Sequence, residues 1–170
     1  MTYKGNNKES FLQFITENKG IIFRICNSYC PYKNEREDLA QEIIYQLWKS
    51  FDSYNNSTKF STWMYRIALN VAISYYRKIK KNAQTISLEE NENFLNKSNE
   101  AEFEKEENFL LLQQFINELK ELDKALMLLY LDEKPATEIA EILGITETNV
   151  STKIGRIKEK LKQKFSTIKK

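Results

Sequence analysis

The sequence predicts an all-α protein made of two small helical domains joined by a flexible acidic linker. Three observations carry this reading. Glycine and proline are scarce, at four and two in 170 residues, while leucine, isoleucine, lysine and glutamate abound, which favours helices over turn-rich sheets. Apolar residues recur at spacings of three and four in two long stretches, and no alternating strand pattern of useful length occurs. Between the stretches this periodicity fades into Asn, Glu, Ser and Lys, giving domains at 8–82 and 108–168 and a linker at 83–107. A helix over the linker's last third, running on through "AEFEKEENFLLLQQFINEL", is the alternative there.

In the first domain, Phe11, Phe14, Ile15, Ile22, Phe23 and Ile25 keep broadly helical spacing between Phe11 and Tyr29. A break is expected near Gly20 and an end at Pro31. Asn34, with Glu37 three residues on, predicts a capping box at the start of a second helix. That helix buries Leu39, Ile43, Leu47 and Phe51, with Ala40, Ile44 and Trp48 widening the stripe. Asp38, Gln41, Glu42, Tyr45 and Lys49 share its opposite face. After the polar loop "SYNNSTK", Ser61 or Thr62 is expected to cap a third helix running to about Lys81. Met64, Ile67, Ala68, Val71 and Ala72 form its buried stripe, and Arg66, Asn70, Ser74, Arg77, Lys78 and Lys81 its other side.

In the second domain, Phe109 to Leu119 read as one helix, and Asp123 is expected to cap another that ends at Leu131. Pro135 suits the first turn of the next. The stretch "TEIAEILGITETNVSTKIGR", Thr137 to Arg156, then has the form of a helix-turn-helix. Gly144 permits the turn, Ala140 is small where the helices cross, and Thr146 can cap the last helix. With Val150, Ile154, Ile157, Leu161 and Phe165 facing inward, Thr148, Asn149, Ser151, Thr152, Lys153 and Arg156 face outward, followed by Lys160. Residues at the start of such a helix reach base edges, while basic residues further along hold phosphates. Gly155 costs about 1 kcal/mol relative to alanine in mid-helix, a cost that close approach to a DNA backbone or to a neighbouring helix would explain.

Charge sharpens the functional reading. The net charge is +2, but the eight Glu and two Lys between Ile86 and Asn108 make that stretch −6, leaving +8 on the rest. Lys59 to Leu88 carries six basic residues and no acid, and Thr146 to Lys170 carries eight against two acids. Two basic helices flanking an acidic linker point to a nucleic-acid partner. With no histidine anywhere, Cys26 and Cys30 cannot complete a Cys/His zinc site within the chain, and they read as reduced, packed thiols. No cofactor or metal is expected. No phosphate-binding glycine loop and no recognisable carboxylate pair suggests an enzyme or a small-molecule substrate. No apolar run reaches the ~18 residues a membrane span needs, and "MTYKGNNKES" has no signal-peptide core, so a cytoplasmic protein without membrane insertion is expected.

A helix-turn-helix alone says only that DNA is bound. "DLAQEIIYQLWKSF" (Asp38 to Phe51) followed by "KFSTWMYRIALNVAISYYRK" (Lys59 to Lys78) resembles region two of bacterial RNA polymerase sigma factors, and Leu119 to Phe165 resembles region four. Their order, with no region three between them, resembles the extracytoplasmic-function group. The resemblance implies a sigma factor that binds core RNA polymerase, recognises upstream and minus-ten promoter elements, and helps open the DNA. It also implies an anti-sigma factor as a partner. The implied polymerase-docking face comprises Asp38, Gln41, Glu42, Tyr45 and Lys49, aimed at basic residues of the polymerase clamp helices. The implied melting element draws polar groups from Asn55, Asn56, Ser57, Lys59, Ser61 and Thr62 and rings from Phe60, Trp63 and Tyr65. Phe60 and Trp63 also fit as core rings that seat the loop. Arg66, Asn70, Arg77 and Lys78 would follow the non-template strand. Thr148, Asn149, Ser151, Thr152, Lys153, Arg156 and Lys160 would meet the upstream element. The recognition helix is poorer in arginine than many of its relatives, and "NNSTK" lacks the Arg-Gly often found there, so the promoter sequence is left open. The competing reading is a helix-turn-helix regulator that acts without core polymerase. A helical adaptor with no nucleic-acid role is opposed by the acid-free basic run.

Overall fold

The computed structural model describes residues 4–83 and 100–168, and all regular structure among them is helical. The first domain comprises α1 (Lys4–Glu17), α2 (Lys19–Tyr29), α3 (Lys33–Ser50), a short 3-10 turn (Phe51–Ser53) and α4 (Phe60–Ala83). The second comprises α5 (Glu100–Glu118), α6 (Glu121–Leu131), α7 (Ala136–Leu143) and α8 (Glu147–Ile168). Most of the expected flexible linker, residues 84–99, lies outside the described residues. Its last eight residues do not read as linker but as the opening turns of α5, as in the alternative weighed above. Glutamates suit that place, since Glu is a good helix former and its carboxylate complements the positive end of the helix dipole.

The core of the first domain is built on α3, where Leu39, Ile43 and Leu47 are fully buried at successive spacings of four. They pack with Ile25, Cys26 and Tyr29 of α2 and with Met64, Ala68 and Ala72 of α4. Each such aliphatic side chain contributes ~1.5–3 kcal/mol of transfer free energy on burial. Beyond Leu47 the core turns aromatic. Phe51 meets Phe11 edge-on at 5.2 Å and lies 6.4 Å from both Phe60 and Trp63, while Phe14 stacks on Phe60 at 4.5 Å.

Several local expectations are corrected. The break expected near Gly20 falls at Asn18, because the Asn18 side-chain amide donates to the Phe14 carbonyl (2.8 Å) and its backbone N–H closes the end of α1. With α2 phased from there, Ile21, Ile22, Ile25 and Cys26 turn inward and Phe23 is left outside, 69% exposed. Ile44 and Trp48, read as part of the buried stripe, are 38% and 43% exposed, although Trp48 still meets Phe11 edge-on at 5.0 Å. The capping box at Asn34 does not form. α3 starts two residues earlier, behind Tyr32, and Arg36 ties the entry by donating to the Pro31 carbonyl at 2.8 Å. Ser61 and Thr62 are not caps either, since α4 already begins at Phe60.

Cys26 and Cys30 are free, buried thiols as expected. Burial pushes them up to about 11 and about 12, so both stay protonated and poorly nucleophilic. The folded protein should therefore resist a thiol-specific reagent and label at both cysteines only in denaturant, as followed by mass spectrometry. Rapid labelling of either one under native conditions would contradict this packing.

In the second domain the helix-turn-helix forms as its residues predict. Gly144 is left-handed (φ 68°) and Ile145 N–H donates to the Ala140 carbonyl at 3.1 Å, which ends α7. The Thr146 hydroxyl accepts from Asn149 N–H at 3.1 Å and caps α8. Val150, Ile154 and Ile157 then face Ile139, Ile142 and the α6 residues Leu126 and Leu129 in the core. Farther along, Phe165 meets Phe115 of α5 edge-on at 5.2 Å. Pro135 sits just before α7 instead of in its first turn. Asp123 lies inside α6, which starts at Glu121, so it is no cap and pairs instead with Lys153 at 3.8 Å. A Cβ on Gly155 would meet nothing within 4 Å, which removes helix packing as the reason for that glycine.

Candidate nucleic-acid interface

Three surfaces carry the residues singled out in the sequence. On α3, Asp38, Gln41, Glu42, Tyr45 and Lys49 are all exposed, Tyr45 at 57%. Their backbone is fixed by the fully buried Leu39, Ile43 and Leu47, which hold the helix against the core. Beside them lie residues that pattern reading had placed inside. Ile44 and Trp48 join Leu12 and Phe23 around two adjoining hollows at the edge of α1, α2 and α3. The available signal was that the stripe at Leu39, Ile43 and Leu47 already fills the inner face, so a second apolar pair four apart has to lie on the flank.

The second surface is the loop before α4 and the outer side of that helix. The Asn55 side-chain oxygen accepts from Ser57 N–H at 3.1 Å, and Asn56 is left-handed (φ 58°). Asparagine is suited to both conformations. The Tyr54 hydroxyl donates to the Thr58 carbonyl (2.8 Å) and closes the loop against the domain. This leaves Asn55, Asn56, Ser57 and Lys59 exposed at the loop tip, with Arg66, Asn70, Arg77 and Lys78 exposed along α4.

The rings and hydroxyls at the start of α4 are placed differently. Phe60 is buried against Phe14, and Trp63 is half-buried between Tyr54 and Phe60, at 5.2 and 5.3 Å, where both seat the loop. Ser61 is half-buried. Thr62 is 5% exposed and its hydroxyl donates to Glu138 at 3.0 Å, while Tyr65 is 2% exposed and its hydroxyl donates to Asp132. Burial and the Asp132 carboxylate push the Tyr65 phenol up to about 12, so it remains a donor at neutral pH.

The third surface is the outer face of α8, where Thr148, Asn149, Ser151, Thr152, Arg156 and Lys160 are exposed and Lys153 is held by Asp123. Capping by Thr146 orients the first turn of this helix, the part that carries Thr148 and Asn149.

Residues 14–82 match Sigma-70 region 2, and residues 109–161 match region 4 of the same factors. Over 95% of its length the chain is 29% identical to the extracytoplasmic-function (ECF) sigma factor SigW of Bacillus subtilis, covering 92% of that relative. The chain belongs to the ECF group of sigma-70 factors. It is also 27% identical to the ECF sigma-E factor of Escherichia coli K12, covering 97% of this chain and 91% of that one. Two solved structures share the fold of this sigma factor. One is CnrH in complex with the cytosolic domain of CnrY (TM-score 0.68, 17% identity, 94% of this chain and 90% of that one). The other is RpoE in complex with the anti-sigma factor NepR from Bartonella quintana (TM-score 0.61, 16% identity, 92% and 94%). A regulator acting without polymerase is not favoured for this sigma factor, since it would not need the region 2 found over residues 14–82. Among the described residues no helix is long and apolar enough to cross a membrane.

Proposed function

We propose that this sigma factor docks on core RNA polymerase through the outer face of α3, captures the unpaired non-template strand with the loop at 54–59 and α4, and reads the upstream promoter element with α8. Binding energy alone does this work, without a catalytic centre or cofactor, in the cytoplasm where polymerase acts. An anti-sigma factor is the expected inhibitor. The observation that carries the reading is the loop tip, where Asn55, Asn56 and Ser57 stand exposed and lead into the acid-free α4, on which Arg66 and Asn70 are also exposed. Amides and hydroxyls there can pair with base edges that have left the stack, while the cations follow the phosphates. Asp38 and Glu42 supply the carboxylates for basic residues of the polymerase clamp, with the apolar flank of Ile44 and Trp48 beside them.

Run-off transcription with core polymerase on a promoter library tests the whole reading, and a double charge reversal tests the docking face. Asp38→Lys with Glu42→Lys should weaken core binding about tenfold, the equivalent of ~1.4 kcal/mol. Helical content and Tm should hardly change, because both side chains are exposed and outside the core. Core affinity equal to the parent's in a titration would remove α3 from the docking surface.

A further inference from the structure

Lys124, on α6, is the only buried charged residue among the described residues, at 2% exposure. Its ammonium lies 5.2 Å from the Tyr29 ring and 4.9 Å from the Tyr76 ring, both of the first domain. Ring faces attract a cation and replace part of the hydration it has lost, but they offer no oxygen lone pairs. An ammonium carries three N–H donors. Among the described residues the Lys124 side chain makes neither a hydrogen bond nor an ion pair. Desolvation accordingly lowers its pKa. Bare donors on a buried charge are costly, and an acceptor from outside the chain removes that cost.

There is room for one. Lys124 lines a cavity of about 240 Å³ together with Asn27, Ser28 and Tyr29 of α2, Tyr76 of α4 and Asn117 of α5. Two of these hydroxyls are already engaged, Tyr29 donating to the Glu121 carbonyl at 2.8 Å and Ser28 to the Arg24 carbonyl at 2.9 Å. The side chains of Asn27, Asn117 and Tyr76 make no hydrogen bond among the described residues, so two amides and a phenol are free to donate beside the ammonium. Asn27 and Asn117 are exposed while Lys124 is buried, which gives the cavity a polar mouth and a cationic floor. The surrounding charge has the same sign. Lys80 lies 5.9 Å from the Tyr76 ring and lowers the Lys124 pKa further. Glu121 acts in the opposite sense, but its carboxylate is 3.7 Å from Arg77.

We propose that this cavity binds one small tetrahedral oxyanion, a phosphate group seated on the Lys124 ammonium and held by the side chains of Asn27, Asn117 and Tyr76. Donors converging from four helices suit several acceptor oxygens at once, which a spherical halide lacks. The volume falls below the ~300–1,000 Å³ of sites for drug-sized ligands, so the phosphate is free or carried on a small ester. Its holders come from both domains, so an occupant ties the two in the arrangement seen here and raises stability by mass action. None of the four residues belongs to the polymerase or promoter surfaces, and the proposal stands apart from that reading.

The test titrates inorganic phosphate into the full chain by calorimetry at fixed ionic strength, with chloride as the balancing anion. Glycerophosphate and acetate are titrated in the same way. Asn27→Asp with Asn117→Asp keeps the shape of two exposed side chains and sets carboxylates at the mouth, where they repel an anion without disturbing the core. Lys124→Met removes the charge and keeps the stem. Lys19→Met, exposed at the other end of α2, controls for the loss of a surface cation. The parent and the control should bind one phosphate per chain with millimolar or tighter affinity, as a few charge-assisted hydrogen bonds give. Phosphate should also raise the Tm of both. The double aspartate variant should bind at least ~10-fold more weakly and lose the rise in Tm. Lys124→Met should bind none, and the double variant decides the matter if Lys124→Met does not fold. Tighter binding of glycerophosphate than of inorganic phosphate assigns the site to an ester, and the reverse order to the free ion. A parent with no saturable phosphate binding overturns the proposal whether or not the variants fold. Equal affinity in the parent and the double aspartate variant, or acetate binding as tightly as phosphate, overturns it as well.

Discussion

Asn56→Gly together with Ser57→Ala is expected to leave promoter binding by the holoenzyme nearly unchanged and to reduce open-complex formation about tenfold. The magnitude follows from capture energies of ~1–3 kcal/mol per base, of which the loss of two polar groups forfeits a part. The choice of residues comes from the loop's own construction. Asn55 shapes the backbone through its bond to Ser57 N–H, so replacing it would alter the loop as well as its contacts. Asn56 has a φ of 58°, and a non-glycine, non-asparagine residue there costs ~1–2 kcal/mol in backbone strain, whereas glycine takes that conformation freely. The double change thus removes an amide and a hydroxyl while keeping the loop. Phe60 and Trp63 are left alone because they form the aromatic floor under it. Permanganate reactivity of unpaired thymines reports the melting, and a pre-melted bubble template should restore much of the transcription. A variant that opens linear promoter DNA as well as the parent assigns melting to another part of the protein.

What the sequence made legible was whatever one helix decides by itself. The stripe at Leu39, Ile43 and Leu47, the turn at Gly144 and the cap at Thr146 each rest on spacing or on one residue's conformational preference, and each forms as read. Helix starts were harder, because several residues compete to close the same few backbone groups. At α3 the guanidinium of Arg36 and the extended Tyr32 took the place of Asn34, and at α6 Asp123 was drawn into a pair with Lys153. Least legible were residues whose partner sits in the other domain. Lys124 looks like a solvated charge and Thr62 like a cap until Tyr29, Tyr76 and Glu138 are in place. Those pairings join residues 48 to 95 positions apart, and no local periodicity encodes them. On α3 and α8 the exposure of the polar candidates was therefore readable apart from Lys153, which Asp123 holds, while Ile44 and Trp48 were misplaced and the start of α4 was readable only as chemistry and not as exposure.

The proposed reading of α8 separates two kinds of effect. Arg156 and Lys160 are exposed beyond the first turn, in the position to hold phosphates, so Arg156→Ala and Lys160→Ala should each weaken binding on every template. Each should also lower the slope of log affinity against log salt by ~1, because one fewer counterion is released per phosphate contact. Asn149, Ser151 and Thr152 lie nearer the capped end, where base edges are reached, and their replacement should shift preference among upstream elements by ~1–3 kcal/mol per contact. Lys153 stands between the two classes because Asp123 holds it at 3.8 Å. Lys153→Ala should therefore cost less than Arg156→Ala, and Asp123→Ala, by releasing the lysine, should raise affinity modestly and steepen the salt dependence. Thr146 stays untouched throughout, since losing its bond to Asn149 N–H would cost about 1 kcal/mol of helix stability and blur the comparison. Filter binding or anisotropy on a panel of upstream sequences at several salt concentrations distinguishes the classes. If substitutions at Asn149 and at Arg156 lower affinity by the same factor on every sequence, the helix holds the backbone without reading bases, and specificity has to arise from DNA shape.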